Sequence, residues 1–220
     1  MPIYNAPLAD MKFILNDVFQ AEQFWQSNEN LAHVDAATAE AILEEMAKFA
    51  QNVTHPLNRT GDEEGAKIEN GQVTTPAGFK DAFRQYAEGG WIGLAADEEW
   101  GGQGMPKMLT VLADEMLFAT NPSFMLYPLL SVGAGMALNS YASQEQKETY
   151  LPKIYSGEWS GTMCLTEPHA GTDLGIIKTK AERNEDGTYN ITGTKIFITG
   201  GDHDLGENII HLVLAKTPDA

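Results

Sequence analysis

The sequence predicts an α+β chain in which helices come first and strands follow. Three observations carry that prediction. Before residue 160, apolar residues recur at three- and four-residue spacing, as on the buried faces of helices. After residue 160 the apolar period falls to two, as in half-buried strands. Capping residues precede several helical stretches, whereas an Asp-Gly turn separates two of the extended ones. The chain accordingly divides into an all-α domain, residues 1–159, and a β segment, residues 160–220.

Each element has its own signal. Asp10 is placed to cap a helix carrying Phe13, Ile14, Val18 and Phe19. Asp35 is placed to cap a second, with Ile42, Leu43, Met46, Phe49, Ala50 and Val53 on one face, which His55-Pro56-Leu57 is expected to end. Residues 58–78 read as a polar loop with turn signals at Asn70-Gly71 and Pro76. Phe79, Phe83 and Tyr86 mark a short helix running to Gly89-Gly90. Pro106 suits the first turn of a helix bearing Leu109, Leu112, Ala113, Met116 and Leu117. Ser143 and Gln146 form a capping-box pattern for a last helix through Tyr155. Strands are expected at Lys178–Arg183 and Tyr189–Thr192 around Asp186-Gly187, at Lys195–Thr199, and at Asn208–Ala215.

Composition excludes several classes. The 220 residues carry 14 Lys plus Arg against 31 Asp plus Glu, a formal net charge of −17. Such a surface repels nucleic-acid phosphates and anionic membranes alike, so neither is an expected partner. Cys164 is the single cysteine, which rules out an intramolecular disulfide and a cysteine zinc cluster, and it reads as a buried small hydrophobe. The five histidines form no i, i+4 pair and no metal is expected; His203, between two aspartates, reads as a turn residue. The opening Met1-Pro2-Ile3-Tyr4-Asn5 lacks the basic start and apolar core of a signal peptide, and a cytoplasmic setting is expected.

No charge occurs between Glu115 and Glu145. The apolar part, Pro122–Leu138, is shorter than the about 20 residues a membrane span needs. It reads as a buried helix or a helix lining an apolar pocket. Gly133-Ala134-Gly135 looks like the start of a dinucleotide-binding turn, but Leu138 occupies the position where that fingerprint needs a third small residue.

The densest chemistry lies in Met163–Asp173, where a short apolar strand enters a polar turn. Thr166 and Thr172 supply hydroxyls, and Ala170 and Gly171 permit close approach to the backbone. Cys164-Leu165-Thr166-Glu167-Pro168-x-Ala170-Gly171-Thr172-Asp173 resembles the acyl-CoA dehydrogenase signature C-[VL]-T-E-P-x-A-G-S-D, with Thr172 keeping the usual serine's hydroxyl. Gly193-Thr194-Lys195-Ile196-Phe197-Ile198-Thr199-Gly200-Gly201 resembles a second motif of that family, in the family's order. Gly93-Leu94 with Glu99-Trp100-Gly101-Gly102 is similar to a third, although Asp97 and Trp100 replace its proline and tyrosine. The resemblance covers most of residues 80–220, and Met1–Phe19 with the 58–78 loop resemble the family's longer branch.

The resemblance implies an antiparallel, β-barrel-like middle domain, of which residues 160–220 would be the first part, and an FAD cofactor. By motif position, Leu165 and Thr166 would touch the flavin ring, Gly171 and Thr172 its pyrophosphate, and Phe197 and Thr199 would flank it. Residues i and i+2 of a strand share a face, so Phe197 and Thr199 are expected to meet one ligand. Met163 stands where relatives often carry an aromatic residue. Phe124, Tyr127, Pro128 and Ser131 match the helix that lines the acyl pocket, and Thr172 lies near the CoA path. The implied reaction is α,β-dehydrogenation of an acyl-CoA, with an electron-transfer flavoprotein or similar acceptor and a homo-oligomeric parent. The family's base is a glutamate of a C-terminal helical domain, so no residue of this chain is assigned as catalytic, Glu167 included. The 220 residues alone are expected to be inactive. A non-catalytic assembly module of the same fold and a flavin-dependent acyl-CoA oxidase or nitroalkane-oxidase-like relative remain the alternatives.

Overall fold

The computed structural model describes residues 3–218. The chain opens with α1 (Leu8–Phe13), a π-helical turn over Ile14–Val18, and α2 (Ala21–Gln26). Asp10 does not cap α1. Pro7 precedes the helix, and Asp10 sits in its first turn, where a carboxylate complements the positive end of the helix dipole. Asp35 does cap α3 (Ala36–Phe49), its carboxylate accepting the Thr38 N–H at 2.7 Å.

The expected stop at His55-Pro56-Leu57 is not a stop. A π-helical turn over Ala50–Thr54 leads directly into α4 (His55–Glu64), with Pro56 at the start of the new segment. There the missing proline N–H and its fixed φ are tolerated, and the wide turn relieves the ring's clash with the preceding carbonyls. The polar stretch that follows holds a small hairpin, β1 (Lys67–Glu69) with β2 (Gln72–Thr74). Asn70 and Gly71 both have positive φ, at 53° and 78°, which suits a tight hairpin turn.

The remaining helices are α5 (Phe79–Glu88), α6 (Lys107–Thr120), α7 (Pro122–Tyr141) and α8 (Gln144–Tyr155). Ser143 and Gln146 close the capping box on α8 as the spacing predicts. Leu43, Met46, Phe83, Leu109, Met116, Leu117 and Phe124 are buried in the shared core. The charge-free stretch is α7, and its Phe124, Met125, Pro128, Ser131, Ala134 and Gly135 are buried in protein. Among the described residues, no helix is long and apolar enough to cross a membrane. Gly133 and Gly135 lie inside α7 and form no turn; a Cβ on Gly135 would fall 2.6 Å from the Tyr155 ring.

β3 (Trp159–Cys164) lies against α7. Its Gly161 is required by that contact, since a Cβ there would sit 2.4 Å from the Ala134 Cβ. The Gly161 N–H donates to Ser131 Oγ at 3.1 Å. β4 (Lys180–Arg183) and β5 (Tyr189–Thr192) form the expected antiparallel hairpin. β6 (Asn208–Val213) pairs with β3 in parallel, which corrects the antiparallel expectation for that pair. The described residues form three two-stranded sheets and no closed barrel.

Lys195–Thr199 is not a strand. Phe197 has φ of +57°, and its neighbours are held by the 165–167 turn in place of a ladder. The fourth strand starts at Lys180, later than expected, because the N–H groups of Lys178 and Thr179 donate to the Glu167 carboxylate. After β6 the chain reaches β4, where Lys216 exchanges backbone hydrogen bonds with Ala181 and Thr179 at 2.9 and 2.8 Å.

Candidate flavin-facing turn

β3 delivers the chain into a tight turn in which Glu167 and Ala170 exchange backbone hydrogen bonds at 2.9 and 3.0 Å. Behind it, the side chain of Glu167 is buried and fully engaged. Its carboxylate accepts the Lys178 N–H at 2.7 Å, the Thr179 N–H at 3.0 Å and the Lys195 ammonium at 2.9 Å. Burial alone would raise the Glu167 pKa. The hydrogen bonds from Thr179, Lys178 and Lys195 outweigh burial and hold it well below the usual carboxylate range. A carboxylate so committed is a poor proton acceptor near neutral pH.

Lys195 also donates to the Leu165 carbonyl at 2.9 Å, and the Ile196 N–H donates to the Thr166 carbonyl at 2.9 Å. The two family-like motifs therefore meet in space: Leu165 and Thr166, both half-buried, lie against the 195–196 segment. Phe197 then turns outward and is 89% exposed, and Thr199 is exposed as well. They share an exposed segment, but not by strand alternation. Gly171 and Thr172 are exposed beyond the Glu167–Ala170 pair, and a Cβ on Gly171 would meet nothing within 4 Å. Packing therefore does not require that glycine, and the space over the turn is open. An uncovered aromatic ring, three accessible threonines and open backbone fit a planar, phosphate-bearing group such as FAD.

The α7 residues divide. Phe124 is fully buried among Phe49, Phe79 and Tyr86, with ring centroids 6.3, 5.8 and 6.2 Å away. Pro128 is buried, and Ser131 is bound to Gly161. Tyr127 is half-buried and meets the His203 ring edge-on at 5.3 Å. His203 is itself buried; burial lowers its pKa against the opposing pull of Asp202 and Asp204. Its Nδ1 accepts the Leu205 N–H at 3.1 Å, and Asp204 accepts the Thr75 hydroxyl at 2.7 Å. The 202–205 loop thus clips the β segment onto the helical domain.

A separate apolar cavity of about 230 Å³ lies on the neighbouring face of α7. Met125, Leu129, Val132 and Met136 line it, with Tyr86, Tyr155 and Asp114. Burial, with some help from Asp97, pushes the Tyr155 hydroxyl up to about 12. Burial likewise raises Asp114. The four α7 positions follow helical spacing, so the sequence contained that signal; it did not say which face met a cavity. Lys195, Glu167 and His203 gain partners from 28 or more positions away or from another domain, beyond the reach of local pattern. Cys164 is buried as expected, though the fold brings His211 Nδ1 within 3.8 Å of its sulfur and within 2.6 Å of Thr162 Oγ1.

The family model of the acyl-CoA dehydrogenase N-terminal domain matches residues 36–158, and that of the middle domain matches residues 162–219. A 3-methylmercaptopropionyl-CoA dehydrogenase of Ruegeria pomeroyi is 46% identical over 217 residues, covering 99% of this chain and 37% of that protein. A butyryl-CoA dehydrogenase of Syntrophomonas wolfei is 38% identical over 221 residues, covering 99% of this chain and 36% of its own length. The chain therefore spans little more than a third of these relatives. Among solved structures, an acyl-CoA dehydrogenase complexed with FAD from Bacillus anthracis superposes with a TM-score of 0.69 at 25% identity, over 84% of this chain and 30% of that one. Glutaryl-CoA dehydrogenase from Mycobacterium smegmatis gives a TM-score of 0.70 at 25% identity, over 86% and 44%. Two domain matches in sequence order, and the meeting of both signature segments at one turn, place this chain in the acyl-CoA dehydrogenase family.

Proposed function

We propose that residues 1–159 form the helical wall, and residues 160–220 the first part of the flavin platform, of an FAD-dependent acyl-CoA dehydrogenase. The reaction is α,β-dehydrogenation of an acyl-CoA thioester, with an electron-transfer flavoprotein or similar protein as acceptor and a homo-oligomeric parent. The observation that carries this reading is the joining of the 164–173 turn to the 195–199 segment, with Phe197 uncovered beside it. FAD, when bound, supplies the hydride acceptor. Leu165 and Thr166 hold it through backbone and hydroxyl, Gly171 and Thr172 serve its phosphates, and Phe197 and Thr199 flank it. On α7, Tyr127 is the half-exposed member of the acyl-side set, with Phe124, Pro128 and Ser131 buried behind it as its support, and Thr172 borders the CoA path. These groups bind, orient and exclude water; none removes the α-proton. Glu167 stays ionised and bonded to its donors.

The test has two arms. Adding FAD to the purified chain should shift the amide resonances of residues 165–172 and 197–199, and Phe197→Ala, which removes an exposed ring, should weaken that response without unfolding the protein. A response spread evenly over the chain refutes the flavin site. With an acyl-CoA and an electron acceptor, the 220-residue chain should show no turnover; measurable turnover overturns the division of labour.

A further inference from the structure

Lys195 is 10% exposed and Glu167 2% exposed at the side chain, an ion pair almost wholly withdrawn from water. Such pairs are weak evidence for stability, because desolvation opposes their attraction. Here the pair joins specific groups. One ammonium joins a main-chain carbonyl, Leu165, to a carboxylate, Glu167, at 2.9 Å each. The carboxylate in turn takes two consecutive N–H groups, Lys178 and Thr179, just before β4. Three separate segments therefore converge on one pair: the turn after β3, the entry to β4 and the 195–199 segment.

The pair also decides where the turn's backbone points. With the Leu165 carbonyl held by Lys195 and the Thr166 carbonyl held by the Ile196 N–H, both acceptors face the 195–196 segment. Immediately beyond the clamp, Phe197 adopts φ of +57° and leaves the protein surface. A non-glycine residue in the left-handed region is held there by its surroundings. We infer that Lys195 is a positioning residue for the flavin-facing surface: through Leu165 and Glu167 it sets the relative placement of Thr166 and Phe197. This inference rests on the flavin reading above and adds to it a residue that itself need not touch the cofactor.

The test uses Lys195→Met and Lys195→Arg in the whole chain, with Glu167→Gln as a second approach to the same pair. Without flavin, amide hydrogen exchange of Ile196 and Thr179 should be about tenfold or more faster in Lys195→Met, the scale expected when a charge-assisted hydrogen bond is lost. With FAD, the localised amide shifts at residues 165–172 and 197–199 should fade in Lys195→Met and return in Lys195→Arg, which restores the donors. Helical circular dichroism should stay at the wild-type level, separating a local effect from unfolding; if Lys195→Met does not fold, Glu167→Gln supplies the comparison. Wild-type shifts that persist unchanged in Lys195→Met or Glu167→Gln overturn the positioning role. Absence of localised shifts in the wild type overturns the flavin reading, while the exchange measurement still decides whether the pair organises the turn.

Discussion

Replacing Gly161 by alanine probes the contact that seats the β segment on the helical domain. The new methyl would lie 2.4 Å from the Ala134 Cβ and 3.4 Å from the Ser131 Cα. Nonbonded carbons prefer about 3.5–4.0 Å, so α7 and β3 must separate by about 1 Å or more. Neither neighbour is the far end of a flexible side chain, so rotamer changes give no relief. Overpacking of this kind costs about 1–3 kcal/mol. Separation also strains the Ser131–Gly161 hydrogen bond, a further about 1 kcal/mol. The expected loss is about 2–4 kcal/mol, or roughly 5–15 °C in Tm for a chain of this size. Urea titration and thermal melting followed by circular dichroism measure it. Ala134→Gly alone should cost about 1 kcal/mol as a helix-interior glycine. The double variant should be less destabilised than the two losses added together, because removing one methyl makes room for the other. A Gly161→Ala Tm at the wild-type value, or strict additivity in the double variant, would refute the close-contact argument.

Three more predictions concern the core and its titrating groups. Phe124→Ala, which empties the centre of an aromatic cluster, should cost about 3–5 kcal/mol in urea unfolding, and a loss below about 1 kcal/mol contradicts its burial. The folded-state pKa of Glu167 lies below its unfolded value, so its contribution is complete above the ordinary carboxylate range and fades as pH falls through that range toward the lowered value. Urea midpoints of Glu167→Gln should therefore converge on those of the wild type in acid, and a constant gap from neutral to strongly acidic pH argues against this linkage. His203, lowered chiefly by burial, favours folding while neutral, so its contribution is present above its ordinary pKa of 6.5 and is lost as pH falls below that value. Its imidazole resonances should titrate below 6.5; a higher midpoint contradicts the burial account.

The helical domain was legible because its signals are local. Asp35, Ser143 and the apolar spacing on α3 and α6 each act within a turn or two of the residue that carries them. Pro56 carries a local signal for a helix end, and the π-helical turn over Ala50–Thr54 that accommodates it leaves no such mark in the sequence. The β segment was legible where a hairpin closes on itself, at Asp186-Gly187, and illegible where partners are distant. Parallel pairing of Trp159–Cys164 with Asn208–Val213 leaves no short-range mark. Lys195–Thr199 has strand composition, yet Lys195 and Ile196 spend their donors on Leu165, Glu167 and Thr166, and φ at Phe197 ends any ladder. The motif residues could be named from resemblance, but their mutual support through Glu167 and Lys195 is a property of the folded chain alone.

The parallel pairing of β3 with β6 has a kinetic consequence. Trp159 and Asn208 are partners 49 positions apart, and the whole candidate flavin surface lies in the span between them. Closing a loop of that length costs about 3 kcal/mol in chain entropy before any contact rewards it. Non-local closures of this kind slow folding. The helices do not wait for that closure, because their mutual contacts, such as the Thr54–Thr120 hydroxyl pair, join residues that all precede Asn208 in the chain. The turn bearing Leu165 and Thr166 acquires its supporting strand only when Asn208–Val213 arrives. During synthesis, the helical domain can therefore stand ready while the candidate flavin surface is still being spelled out, and ligand present at that moment would meet a folded half and an unfinished one.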